Sequence, residues 1–269
     1  MSSEHVEFTK DNIDLYLKEV AKEYRKQVGK RMPAELILIG GASVLVNYGF
    51  RNMTTDVDAL IHAASGMKDA INRVGDRFGL PNGWLNADFK NTASYTPKLD
   101  EVSVYYKTYS NVLTVRTVAA EYLIAMKLRS GRQYKSDLSD VLGILAEHGK
   151  RGTPITMEQI QKAVTDLYGG WTSLSDMSQA FISNVMEDGR FEQLYAQIVQ
   201  GEQETKKLLI RFEKEYPSIA KEDNVDAISV TLQKKADKAS ILELLRQRQA
   251  ESPEAKQGKR AWKRDDPER

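Results

Sequence analysis

Apolar positions recur along this chain with two periods, and the change of period divides it. Ile13, Leu17, Val20, Ala21 and Tyr24 follow helical spacing, which predicts a helix from Lys10 to Gln27 with Thr9 as its N-cap. Ala34 to Ile39 is a short, largely apolar run that stops at a glycine, as a buried strand does. Ala42 to Tyr48 reads as the start of a helix, and a second strand is expected from the Asp56-Val57-Asp58 segment through Ile61. Met67 to Phe78 is an amphipathic helix closed by Gly79 and Pro81. A polar loop follows from Trp84 to about Asp100. Val102–Tyr106 and Val112–Val115 are β-rich runs split by a turn at Ser110-Asn111, an antiparallel pair that would finish the sheet.

From Ala119 the period is helical. Helices are expected over Ala119–Arg129, Lys135–Glu147, Met157–Tyr168, Asp176–Glu187, Arg190–Tyr216 and Ile228–Gln249, punctuated by Pro154 and Gly169-Gly170. The stretch Glu251–Arg269 is charged and poor in apolar residues, a composition that predicts disorder. The pattern gives an α+β chain, α/β-like in its first part: a small mixed sheet flanked by helices over residues 1–118, a helical region over 119–250, and a charged tail over 251–269.

Composition narrows the function classes. The 269 residues can bury a large core, and three tryptophans and twelve tyrosines argue for a folded chain. A formal net charge of +1 excludes strong bulk attraction to nucleic acid or membrane, so any such binding must come from local patches. The absence of cysteine excludes disulfides, thiolate metal sites and a cysteine nucleophile. No apolar run approaches a membrane span and the N-terminus lacks a signal-peptide core, so a cytoplasmic protein without a membrane partner is expected.

The chemistry concentrates between residues 40 and 58. A strand, the pair Gly40-Gly41 and a helix start form a place where backbone can approach a phosphate, since glycine has no Cβ and a helix N-terminus offers free N–H groups. Ser43, at the helix start, can cap an N–H or touch phosphate. Asp56 and Asp58 alternate on the next strand, so both carboxylates leave one face while Val57 faces the core. Two hard oxygen ligands beside a phosphate cradle suit Mg²⁺. Arg51 precedes that strand and can reach phosphate or serve solubility.

Ile39-Gly40-Gly41 followed by Asp56-Val57-Asp58 resembles the core motif of the DNA polymerase beta superfamily of nucleotidyltransferases. Within it, Arg51-x-x-Thr54-x-Asp56-x-Asp58 is similar to the AbiEii-type toxin nucleotidyltransferases. Further along, Leu123-x-x-Met126-Lys127-Leu128 and Lys135-x-Asp137-x-x-Asp140 look like that family's later lysine and aspartate motifs. The resemblance covers roughly residues 35–145. It implies that Lys127 contacts nucleotide phosphate, that Asp137 is required for activity, and that Asp140 is structural. The residues alone leave two readings open. Lys127 lies beside an apolar arc and can snorkel along a core or point a cation at a triphosphate. Asp137 can equally be the acidic first-turn residue of a helix.

The resemblance implies a magnesium-dependent enzyme moving a nucleoside monophosphate from an NTP to an acceptor. It further implies a toxin modifying tRNA, with an antitoxin as partner. Alternatives are transfer to a protein or a small molecule such as an antibiotic, and a degenerate binding module or antitoxin. The superfamily's third strand carboxylate, its general base, has no counterpart in Val112-Leu113-Thr114-Val115. Lysines 206, 207, 234, 235 and 238 with Arg211 are candidate RNA contacts on helices. The mixed tail segment from Lys256 to Arg264, with Trp262, is another. His62 is expected at a strand end on the surface, and Arg116 is, with Arg51, a further candidate for the site.

Overall fold

A computed structural model describes residues 6–132, 135–221, 224–225 and 227–235. The C-terminal half of the last expected helix, Lys238 and the charged tail lie outside these residues. The described chain divides into two compact units, residues up to 200 and residues from 201 onward. The step from strands to helices near residue 118 falls inside the first unit.

In the first unit, α1 (Lys10–Val28) leads to β1 (Ala34–Leu38), α2 (Gly40–Asn47), β2 (Val57–His62), α3 (Gly66–Phe78) and β3 (Leu85–Asn86). Then come β4 (Ser103–Tyr109), β5 (Leu113–Val118), α4 (Ala120–Ser130), α5 (Asp137–Lys150), α6 (Met157–Tyr168), α7 (Asp176–Asp188) and the start of α8 (Phe191–Glu215). Short 3-10 turns at Asp88–Asn91, Pro97–Asp100 and Trp171–Ser173 connect them. The first helix begins where its cap predicts: Thr9 accepts from the Asn12 N–H while the Asn12 side chain bonds back to Thr9, a reciprocal cap. Thr156 and Gln159 do the same for α6.

The strands form one mixed sheet in the order β3-β2-β1-β5-β4. β1 pairs antiparallel with β2 and parallel with β5, and β4 pairs antiparallel with β5, as the turn at Ser110-Asn111 implies. The two-residue β3 pairs parallel with the start of β2 and lies within the expected loop. Alternation splits the strand side chains between two cores. Leu36, Leu38, Val57, Ala59, Leu113 and Val115 meet α1 and α3 on one face. Ile37, Ile39, Leu60 and Val118 meet α4, α5, α6 and α7 on the other. Burial on both faces fixes strand register, because a one-residue slip would exchange every apolar side chain between the cores. Asp14 of α1 pins the edge strand: its carboxylate accepts from Tyr106 (3.0 Å), Tyr109 (2.5 Å) and Lys107 (2.6 Å). No helix among the described residues is long and apolar enough to cross a membrane.

The segment from Tyr48 to Thr54, which carries the chain from α2 into β2, is laid along α5. Tyr48 bonds His148 at 3.2 Å, and the Phe50 ring lies over Gly143 between Tyr48 and Tyr195. In the second unit the rest of α8 is joined by a helical stretch over 227–235, and the Gln233 side chain donates to the Thr205 hydroxyl.

Gly143→Ala tests the seat of Phe50. A Cβ there would lie 2.5 Å from the Phe50 ring. The change gains about 1 kcal/mol of helix propensity but loses about 1–3 kcal/mol to overpacking. A lower urea midpoint with unchanged slope is the expected outcome; a higher midpoint would show that Phe50 is not held on α5.

Candidate functional site

β1 ends at Leu38, and the Ile39 N–H donates to the Asp58 carbonyl at 2.9 Å. This bond continues the antiparallel β1–β2 ladder and brings the glycine turn beside the acidic strand. Gly40 has φ +56°, a region that L side chains rarely adopt, and nothing lies where its Cβ would be. Gly41 is required for room: its Cβ would lie 2.6 Å from the Thr54 hydroxyl and 3.0 Å from Arg51 Nη2. Ile39, the N-cap of α2, makes no side-chain capping hydrogen bond. Ser43 is fully buried, and its hydroxyl has no hydrogen-bond partner, so it does not cap the helix in this conformation.

Asp56 and Asp58 flank the wholly buried Val57. Asp58 is half-buried within β2, whereas Asp56 stands exposed just before the ladder begins. The chain before Asp56 pairs instead with the segment ahead of α1, through a bridge between Thr54 and Phe8. Thr54 donates its hydroxyl to Asp56 Oδ1 at 3.2 Å. Asn86, opposite Asp58 in the β2–β3 register, hydrogen-bonds the Asp58 side chain. Burial first, and then the like charge of Asp56, push the Asp58 carboxyl up to about 6 against the partial relief from Lys135 and Asn86. A cation beside this pair would relieve that repulsion. The donors are hard carboxylate oxygens, and no group of three or more His, Asp or Glu among the described residues could hold an ion alone. An ion here would therefore keep water or take substrate oxygens, as Mg²⁺ does.

Behind the turn lies a buried ionic network. Arg51 Nη1 donates to Asp140 Oδ1 at 2.8 Å and Oδ2 at 2.5 Å, while Arg51 Nε bonds the Met53 carbonyl at 3.0 Å. Lys127 Nζ lies 2.7 Å from Asp140 Oδ2 and 2.8 Å from Asp137 Oδ1. Arg132 Nε completes the chain at 3.0 Å from Asp137 Oδ2. The Lys127, Asp137 and Asp140 side chains are 9%, 1% and 3% exposed. Burial lowers the Lys127 pKa, but Asp140 and Asp137 outweigh it and hold the ammonium above its ordinary value. Burial likewise raises Asp137, and Lys127 with Arg132 reverse that and keep it below the usual carboxylate range. Asp137 opens α5 but turns toward these cations.

The structure thus brings together Gly40, Gly41, Arg51, Asp56 and Asp58, and links Lys127 and Asp137 to them through Asp140. Arg116 stands apart, between Glu35 and the Ser103 carbonyl, and His62 is exposed at the end of β2 against Asp100. Sequence reasoning missed Asn86, Arg132 and the hydroxyl of Thr54 as contacts of the site; only Thr54 left a trace, in its spacing from Asp56.

A glycine turn and two alternating carboxylates meet beside the sheet, backed by a buried ionic network. Residues 16–148 match the model of a family described as nucleotidyltransferase of unknown function (DUF6036). The match runs from within α1 to within α5 and contains the glycine turn, both aspartates and the ionic network behind them. It supports nucleotidyl transfer as the chemistry of the core. No curated protein and no solved structure gives a significant match to the chain.

The strain on Asp58 predicts a trade-off. An acid whose native pKa exceeds its unfolded value destabilises the fold progressively as pH rises from the unfolded value to the native one. Asp58→Asn should therefore stabilise the metal-free protein at pH 8, on the order of 1 kcal/mol after allowing for solvent exposure, and confer no gain below pH 4. Thermal melts at the two pH values, in chelator, check this; equal melting temperatures at pH 8 would contradict it.

Proposed function

We propose that this protein is a magnesium-dependent nucleotidyltransferase that transfers a nucleoside monophosphate from an NTP to RNA, most specifically tRNA, with release of pyrophosphate. The observation that carries the reading is the Ile39–Asp58 backbone bond, which places an open glycine turn and two carboxylates side by side. The reaction is in-line attack of an acceptor oxygen on the α-phosphorus, with the bond to the β-phosphate oxygen breaking.

The N-terminus of α2 and the backbone at Gly40-Gly41 receive the triphosphate. Arg51 brings a cation to that turn, with its guanidinium fixed on one edge by Asp140. Lys127 sits one ion pair further in and offsets charge as it develops. Asp56 and Asp58 would hold Mg²⁺, which supplies electrostatic stabilisation of attacking and leaving oxygens when bound. Asp137 is a poor general base, since its proton affinity is lowered and both oxygens already serve cations. β5 offers no carboxylate in the general-base position of the wider superfamily. The reading therefore assigns no side chain to deprotonation of the acceptor.

An RNA acceptor is favoured by the second unit and by the AbiEii-like motif set. Lysines 206 and 207 directly follow Thr205, and lysines 234 and 235 directly follow its partner Gln233. All four are exposed, so one helix contact gathers two basic pairs. The toxin role, with an antitoxin partner in the same cytoplasm, rests on the resemblance. Transfer to a protein or a small molecule is the competing outcome.

Incubation with each labelled NTP, Mg²⁺ and total RNA, followed by separation of RNA, protein and small-molecule products, tests the reading. Label should appear on RNA, and Asp56→Ala or Asp58→Ala should lower its rate at least about a hundredfold. RNA binding should weaken steeply with salt. Label found only on protein or small molecules would replace the acceptor, and undiminished transfer by the double alanine variant would remove the active site.

A further inference from the structure

We infer that Thr54 is a positioning residue for the metal pair, holding Asp56 in place through its hydroxyl. The inference rests on the reading of Asp56 and Asp58 as metal ligands. Asp56 is exposed and lies outside the β2 ladder, so the strand does not fix its carboxylate. Its Oδ1 accepts a hydrogen bond from Thr54 Oγ1 at 3.2 Å. A hydroxyl with one proton and a free rotor makes a useful pin only if its oxygen is itself immobile.

Here it is held from three sides. The backbone of Thr54 is clamped to the segment ahead of α1: Phe8 N–H donates to the Thr54 carbonyl at 2.8 Å, and Thr54 N–H donates to the Phe8 carbonyl at 2.9 Å. Phe8 is fully buried and stacked on Trp84, so the clamp is anchored in the core. Thr54 is 2% exposed, and its Oγ1 occupies the space that a Gly41 side chain would fill, beside Arg51 Nη2. The threonine hydroxyl is thus bonded to the first carboxylate from a position packed over Gly41, where Arg51 Nη2 also lies. A group of this kind orients a ligand and tunes its affinity without touching the metal or the nucleotide.

Two substitutions separate hydroxyl from bulk. Thr54→Val keeps the branched shape and removes the donor, and Thr54→Ser keeps the donor and removes a methyl. Free Mn²⁺ is counted by electron paramagnetic resonance while the ion is titrated into the full-length protein with a non-hydrolysable NTP analogue. Thr54→Val should weaken Mn²⁺ binding about tenfold or more, the usual loss for a group that orients a metal ligand. Thr54→Ser should stay within about threefold of wild type under the same rule. Melting temperatures of the metal-free variants report any loss of fold. Equal Mn²⁺ affinity in wild type and Thr54→Val overturns the inference and leaves the metal reading intact. Equal weakening in both variants also overturns it, because packing would then be the cause. A wild-type protein that takes up no Mn²⁺ overturns both.

Discussion

The site depends on Asp140 holding Arg51 and Lys127 at once. A lysine buried as Lys127 is would by itself cost several kcal/mol of desolvation. Two carboxylates within 2.8 Å make its burial tolerable, and each carboxylate has a second cation on its other side. Such a network adds little to stability relative to an apolar core, yet it is costly to break at any one member. Its effect is geometric. It fixes α4, α5 and the segment after α2 with respect to one another, and that segment leads directly to the two aspartates.

From Asp140 the constraint passes outward through short contacts. Arg51 is braced by Asp140 and the Met53 carbonyl, and its Nη2 closes on Gly41 beside Thr54. Thr54 then bonds Asp56, and the Ile39 N–H meets the Asp58 carbonyl across the sheet. The cationic interior and the acidic rim are therefore parts of one scaffold. At the rim, burial first and then the like charge of Asp56 raise the proton affinity of Asp58, and a cation beside the pair would offset both. Local instability of this sort, supported by a rigid surround, is how a preorganised binding site is built.

Much of this fold was legible in the sequence because it rests on local rules. Thr9 announces α1, the apolar run from Ala34 to Ile39 announces a buried strand, and the glycine pair followed by alternating aspartates announces where chemistry sits. The apolar arc around Lys127 leaves open whether its ammonium snorkels or faces a phosphate; its burial between two carboxylates comes from tertiary contacts. The remainder depends on contacts between residues far apart in the chain, which leave no period to read. β3 is two residues long, too short for alternation to register. Asn86 matters only because β3 pairs with β2, and Arg51 finds its partner 89 residues away in Asp140. Asp56 looked like a strand residue by spacing, but Thr54 is drawn to Phe8, and the ladder starts one residue later.

In the proposed reaction the glycine turn and the acidic pair together direct attack at the α-phosphorus. Phosphorus-31 NMR of an NTP turned over by the full-length protein with Mg²⁺ and total RNA reads that choice directly. The account predicts pyrophosphate appearing in proportion to nucleotide incorporated, with no nucleoside diphosphate formed. Inorganic phosphate and nucleoside diphosphate as the primary products would place the attack at the γ-phosphorus and contradict it.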